Sequence, residues 1–420
     1  MHLFVLLFPL FIIYDFLFTV LFIVVIPLMI KKYGLRRTLS EVFSKFYFLG
    51  FLFDKSRYKV LVHCSSIGEV KTLAIIFETI KDIYGIYPLI TIFTKSGFEA
   101  LRFSELQKKS KLVVSPFPTF TATLLFLVKV KPKYVIFMES DLWPPYVLSA
   151  KLIGAKVIVI NGRISKKSFN FYKSFGRFIF KSIDIMCAQN SVYKERFEIL
   201  GAKTIFVTGN IKNDREFVKP HNNRKYIVFV SSRESIKKYI SEEEFFCRAV
   251  KKVDRKAPFS FILAPRHKER LKVAERILKY YNLNFLRYSE INLEDINTSP
   301  DNVFILLDKK GVLDIIYPYC KIAIVGGTFV PIGGHNIVEP LFFNIPVIFG
   351  QFTEKVNYEA EVLVESGVGF RALTPDMLVN HIYYINDNME EICSKIPSSI
   401  EKLRGAKRNT KSVLEKFKNE

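Results

Sequence analysis

The chain is poor in the residues that build metal centres and covalent frameworks. Its five cysteines (Cys64, Cys187, Cys247, Cys320, Cys393) are scattered over 420 residues, and no C-x-x-C pair occurs. Neither a zinc ribbon nor a disulfide framework is indicated, and the pattern fits reduced thiols in a cytoplasmic domain. No Asp-x-Asp motif occurs either, which weakens a paired-carboxylate metal site. Acidic residues are few beside basic ones, 40 against 62, giving a formal net charge of +22. That excess favours anionic partners: nucleic acid, an acidic membrane surface or phosphorylated lipid. The basic residues are dispersed and no nucleic-acid recognition motif occurs, so no nucleic-acid partner is expected. There is no internal repeat and no low-complexity tract, and only one tryptophan, Trp143.

Apolar residues, by contrast, make up 50% of the chain. Residues 3–30 are almost wholly apolar, and about 20 such residues span a bilayer core. A signal peptide would have a basic start, a shorter apolar run and a small-x-small cleavage site. Here the start is Met-His and no Ala-x-Ala follows. Residues 1–30 therefore read as a retained membrane anchor. Lys31, Lys32, Arg36 and Arg37 come next, which puts the following domain on the cytoplasmic side. Asp15 interrupts the run. Either it pairs with another group or the helix lies partly in the interface, and full span and monotopic insertion both fit.

From about residue 58, short apolar runs alternate with helical stretches. Strands are expected at 59–63, 89–93, 112–115, 134–138, 157–160, 185–188 and 205–208. A second series is expected at 226–231, 259–264, 303–307, 322–325 and 346–349. Strands separated by helices imply mostly parallel sheets covered on both faces. The chain thus divides into a first α/β domain over 31–212, a polar, basic linker over 213–225 and a second α/β domain over 226–388. A charged C-terminal helix covers 389–420, and whether it packs back on the first domain is left open. Two doubly wound domains would turn their strand C-termini towards one cleft, and ligands of open α/β sheets bind outside those ends.

The unusual residues fall after strands. Gly326 to Pro340 holds four glycines between an apolar run and a helix expected over 336–343. Backbone N–H groups and a helix N-terminus there suit an anion, and Glu339 could accept a ribose hydroxyl. The alternative is a tight turn with Glu339 solvated. Glu69 follows a strand and Gly68 at a helix start, where the helix dipole would hold it ionised as a base; an ordinary first-turn acid is the alternative. Glu139 and Asp141 sit just after a strand, as a reactive pair or as caps of a helix beginning near Pro144. Lys212 ends the first domain, facing a phosphate or solvating the linker. Arg266 follows another strand and is placed to fork onto a phosphate, beside His267.

Together these segments resemble the transferases of 3-deoxy-D-manno-octulosonic acid (Kdo). The match runs from the anchor to about residue 372. It includes H-x-x-S-x-G-E at His63–Glu69, M-E-x-x-L-W-P at Met138–Pro144, Asn161 to Ser165, Ala188-Gln189-Asn190, Gly209 to Lys212, Pro265 to Arg270 and the block from Gly326 to Gly350. The resemblance implies a two-domain GT-B glycosyltransferase anchored in the inner membrane. It would invert at the anomeric carbon without metal or other cofactor. The implied donor is CMP-Kdo and the acceptor lipid IVA, a bis-phosphorylated acylated disaccharide. By the same resemblance, the first domain binds acceptor and the second CMP-Kdo. Glu69 is then the general base, and Glu139 and Lys212 stabilise the transition state. Pro265, Arg266, Lys310, Gly311, Val312, Gly333, Gly334, Asn336, Ile337, Val338 and Glu339 belong to the nucleotide site.

Two segments depart from the family. Ser231 to Ile236 stands where relatives carry Ser-Thr-His-x-Gly-Glu, so Arg233 replaces a histidine. Lys310-Gly311-Val312 stands where relatives carry Met-Gly-Glu, which removes a carboxylate and leaves backbone contacts. Another inverting GT-B enzyme with a different nucleotide sugar would share the glycine-rich turn. A basic, membrane-tethered binding module would share the charge.

Overall fold

A computed structural model describes residues 2–51, 56–101, 104–139, 141–236, 238–254, 257–291, 303–309 and 311–419. The chain forms two compact units: residues up to Asp214 together with those from Arg404 onwards, and Arg215–Leu403.

The first unit is built on seven strands: β1 (Val60–Cys64), β2 (Leu89–Ile92), β3 (Leu112–Val114), β4 (Tyr134–Met138), β5 (Lys156–Gly162), β6 (Ile185–Ala188) and β7 (Ile205–Val207). They lie in the order β3-β2-β1-β4-β5-β6-β7, every pairing parallel. A parallel sheet needs a crossover between strands, and helices then cover both faces. Accordingly β1 and β4 are buried at every position, β4 as an unbroken apolar run and β1 with only His63 polar. Winding starts at β1, runs outward to β3 and restarts at β4, so the order reverses between β1 and β4.

The second unit repeats the plan with β8 (Tyr226–Ser232), β9 (Ser260–Pro265), β10 (Leu286–Arg287), β11 (Phe304–Leu306), β12 (Cys320–Val325), β13 (Val347–Phe349) and β14 (Gly369–Arg371). Their order is β10-β11-β9-β8-β12-β13-β14, again all parallel. Here the reversal lies between β8 and β12. The edge strands β10 and β14 escape the sequence reading. Both β10 residues are exposed and β14 opens on a glycine, so neither carries an apolar run.

Three expected elements differ. The helix over 336–343 is only a 3-10 turn, Glu339–Phe343. Asn344, left-handed at φ 56°, and then Pro346 leave no room for further turns. The single C-terminal helix over 389–420 is two helices, Met389–Glu401 and Ala406–Asn419, broken before Gly405 at φ 104°. Met389–Glu401 belongs to the second unit and Ala406–Asn419 to the first. Residues 215–225, expected as linker, belong to the second unit. Val218 N–H donates to Phe342 and His221 N–H to Pro318.

At the N-terminus, α1 (His2–Tyr33) is long and apolar enough to cross a membrane. A break at Gly34 leads into α2 (Leu35–Ser44).

Candidate functional site

At the β1–β4 reversal of the first unit, Glu69 and Glu139 follow the two central strands. Ser66 caps the Ile67–Tyr84 helix by accepting Glu69 N–H at 3.3 Å. The Glu69 side chain folds back, and its Oε2 accepts Ser65 N–H at 2.5 Å. This reciprocal arrangement satisfies helix-end donors and fixes the carboxyl group. Glu69 is 7% exposed. Burial, reinforced by the charges of Glu139 and Asp141, pushes its pKa up to about 8 against the opposing Ser65 N–H and Lys212. Desolvation thus works against the ionised form that the helix N-terminus favours.

Glu139 is the first residue past β4 and sits in the left-handed region at φ 59°. For a residue with a Cβ this conformation costs roughly 1–2 kcal/mol. It turns the buried carboxylate between two cations: Arg163 Nε at 2.6 Å and Lys212 Nζ at 2.5 Å. The alternative capping reading fails, since the Pro144–Leu152 helix begins after Trp143 without a side-chain cap.

Lys212 rides on the 3-10 turn Ile211–Asp214. Two residues hold that turn. Asn161, fully buried and left-handed near the end of β5, accepts Ile211 N–H at 3.0 Å. Asp214 accepts Gly405 N–H at 2.7 Å and the N–H of Lys407, capping the Ala406–Asn419 helix. The C-terminal helix thus braces the lysine. His63 lies deeper, buried and bonded through Nδ1 to Thr91 Oγ1 at 3.0 Å. Burial and the nearby Lys45 push its pKa down to about 3, so it is neutral.

The structure therefore brings Glu69, Glu139 and Lys212 together. Arg163 and Asn161 belong with them but have no separate role in the sequence reading. Their signal was position at the end of a strand. A carboxyl group with a pKa near neutrality, beside a cation paired to a second carboxylate, can accept a proton while positive charge remains to meet developing negative charge.

At the β8–β12 reversal of the second unit, the glycine-rich turn behaves differently from expectation. Several of its N–H groups, at Gly326, Gly327, Phe329 and Gly334, are spent inside the protein. Gly326 N–H donates to Val230 and Gly334 N–H to Gly327, both at 2.8 Å. Gly327 and Phe329 N–H donate to the buried carboxyl group of Glu242 at 2.8 and 2.9 Å, as does Arg233 N–H at 2.9 Å. The expected helix is absent, so the helix-dipole part of the expected anion site is not formed. The glycines serve close packing instead. A Cβ at Gly326 would stand 2.6 Å from Ser231 O, and one at Gly350 would stand 2.3 Å from Thr328 O.

Cationic and neutral donors surround the turn. Arg233 follows β8 and bonds His267 at 2.9 Å and Glu234 at 2.9 Å. Pro265 ends β9, and Arg266, exposed beyond it, ties its N–H to Ser232 O at 3.1 Å. His335 packs on Gly327, and its buried Nε2 has no hydrogen-bond partner among the described residues. Burial and the charges of Arg266 and Arg233 push its pKa down to about 4, leaving a neutral ring with an unspent nitrogen. The sequence reading missed His335 and Glu242, since only tertiary contact reveals them.

A second group forms nearby in the chain's own numbering. Arg215 lies 3.1 Å from Asp314 and 3.8 Å from Glu339. It links Glu339 to the short helix Leu313–Ile316, which follows Gly311 and Val312; Lys310 lies outside the described residues. Asn336 uses its Oδ1 on Val338 N–H at 3.1 Å. Ile337 and Val338 are buried core residues. Gly333 and Gly334, at φ 93° and 95°, supply the turn.

Comparison with known proteins points to one family. The family model described as 3-deoxy-D-manno-octulosonic-acid transferase (kdotransferase) matches residues 40–215. A 3-deoxy-D-manno-octulosonic acid transferase of Aquifex aeolicus is 30% identical over 346 residues, covering 82% of this chain and 90% of that protein. A bifunctional glycosyltransferase/methyltransferase of Fusobacterium nucleatum is 32% identical over 379 residues, or 85% of this chain; the chain spans only 56% of that relative's length. Among solved structures, Anabaena HepE in complex with UDP and glucose matches with a TM-score of 0.60 at 13% identity, covering 86% of this chain and all of that one. At such identity the likeness shows the fold, which is GT-B.

Proposed function

Because the chain belongs to the 3-deoxy-D-manno-octulosonic acid transferase family, we propose that it transfers Kdo from CMP-Kdo to lipid IVA in lipopolysaccharide core biosynthesis. In this reading the first unit binds the acceptor and the second the donor. An acceptor hydroxyl attacks the anomeric carbon and its proton passes to Glu69. The bond from that carbon to the CMP phosphate oxygen breaks, and the electron pair leaves with CMP. Attack from the face opposite the leaving group inverts the centre.

The observation that carries this reading is the meeting of Glu69, Glu139 and Lys212 at one strand reversal. Glu69 has a pKa of about 8, suited to a base that works near neutrality. Lys212, held by Glu139, supplies positive charge to the developing transition state. CMP leaves as a phosphate monoester and needs little protonation. Arg266, Arg233 and the neutral His335 are the groups that support phosphate and nucleotide recognition, with Pro265, Gly311, Val312, Gly333, Gly334 and Glu339 around them. The apolar α1, followed by Lys31, Lys32, Arg36 and Arg37, supports attachment to the inner membrane with both units on the cytoplasmic face.

The test is product mass. The purified chain is incubated with lipid IVA and freshly generated CMP-Kdo, and the lipid is read by mass spectrometry. Kdo-sized increments are expected, and their number gives the units added. An unchanged lipid, with UDP binding more tightly than CMP in a parallel titration, would assign a different nucleotide sugar.

A further inference from the structure

We propose that α1 does not cross the bilayer but lies along one leaflet, held there by the first unit, so that α1 and α2 together form a lipid-embedded face. This goes beyond the transfer reaction and uses only the membrane attachment assigned above.

One stripe of α1 turns towards the first unit, which it meets between Phe11 and Phe22. Phe11 is buried, and Tyr14, Phe18, Phe22 and Met29 are half-buried at helical spacing. Phe11 stacks on Phe120 with ring centroids 3.8 Å apart, and Phe22 meets Phe117 at 5.1 Å. Asp15 lies on the same stripe. Its Oδ1 accepts Phe120 N–H at 2.6 Å, and its Oδ2 accepts Thr121 N–H at 2.9 Å and Thr121 Oγ1–H at 2.7 Å. A carboxylate there satisfies the otherwise open N–H groups of the Phe120–Val130 helix. The charge inside the apolar run is therefore a clamp onto the unit.

That clamp is incompatible with a perpendicular span. Asp15 precedes Lys31 by about 24 Å of helix. With Lys31 and Lys32 at the cytoplasmic surface, the start of the Phe120–Val130 helix would sit near the far side of a hydrocarbon layer about 30 Å thick. Lys129 lies in that helix's last turn, and Lys131, which follows Val130 as the C-cap, is exposed. Burying that segment is far costlier than laying α1 flat.

The flank of α1 next to that stripe suits a leaflet. Leu10, Leu17, Leu21 and Leu28 are each 58–64% exposed. On α2, Leu35, Leu39 and Phe43 are exposed at spacings of four, and Arg36 and Arg37 are exposed beside them. An apolar face flanked by basic side chains matches acyl chains beneath anionic headgroups.

Four variants of the full chain, Leu10→Cys, Leu17→Cys, Leu21→Cys and Leu28→Cys, test this. The five native cysteines are buried, so a spin label reports the new site. In phosphatidylethanolamine–phosphatidylglycerol vesicles, depth is read from accessibility to oxygen against a nickel chelate. A common depth at all four positions is expected. A gradient, deepest at Leu17 and Leu21 with Leu10 and Leu28 at opposite surfaces, would overturn the proposal. So would labels that never contact lipid. Adding Asp15→Leu is expected to spread the four depths, and unchanged depths would refute the clamp. None of these readouts depends on transfer chemistry, so their failure leaves the reaction reading intact.

Discussion

At its β1–β4 reversal the first sheet buries carboxyl groups; at its β8–β12 reversal the second sheet gathers guanidiniums and an imidazole. The strand plan is the same, and so is the position of the site outside the strand C-termini. Burial raises the pKa of both acids, Glu69 to about 8 and Glu242 to about 7; the difference lies in how many N–H groups each carboxyl group accepts. Glu69, desolvated, becomes a weak acid able to trade a proton near neutrality. Glu242, fully buried, instead spends its carboxyl group on three N–H groups of the surrounding loops. One buried acid is left chemically available and the other is structural. The second edge then offers Arg266, Arg233 and His335 for recognition.

This division of labour makes separable predictions. Glu69→Gln should cost most, lowering kcat roughly 10²- to 10⁴-fold, with CMP affinity by calorimetry unchanged. Lys212→Met should lower kcat by about 10²-fold, again sparing CMP binding. Arg266→Ala should do the reverse, weakening CMP binding about tenfold through loss of a charge-assisted contact, with kcat at saturating donor nearly kept. An Arg266→Ala enzyme that binds CMP normally but turns over slowly would erase the distinction between the two edges. The smallest effect belongs to Asp214→Ala, which removes the cap of the Ala406–Asn419 helix. A stability loss of about 1 kcal/mol is expected from thermal unfolding, with a mild fall in kcat as the Lys212 turn loosens.

Much of the frame was legible because parallel strands announce themselves as short unbroken apolar runs. Every strand of the first sheet lies where the sequence puts it, within a residue or two. Glu69, Glu139 and Lys212 could be singled out because each stands just past such a run. What stayed hidden depends on contacts between distant segments. Arg163 meets Glu139 across 24 positions and Glu242 meets Gly327 across 85, and no local pattern encodes either. The glycine-rich turn misled for a related reason. Its glycines suggested free N–H groups, but Ser231 O crowds Gly326, and Glu242 accepts the N–H groups of Gly327 and Phe329. Asp15 read as an oddity in an apolar run until its partners at Phe120 and Thr121 were seen.

The central claim is that Glu69 takes the proton, and the pH dependence of kcat/KM for Kdo transfer tests it most directly. Glu69 acts only when deprotonated and has a pKa of about 8, so activity should rise with pH and level off above that value. Glu69→Gln should leave a low, pH-independent residue. If the variant kept the wild-type rate and the same rise, the base would lie elsewhere and the account of the first edge would be wrong.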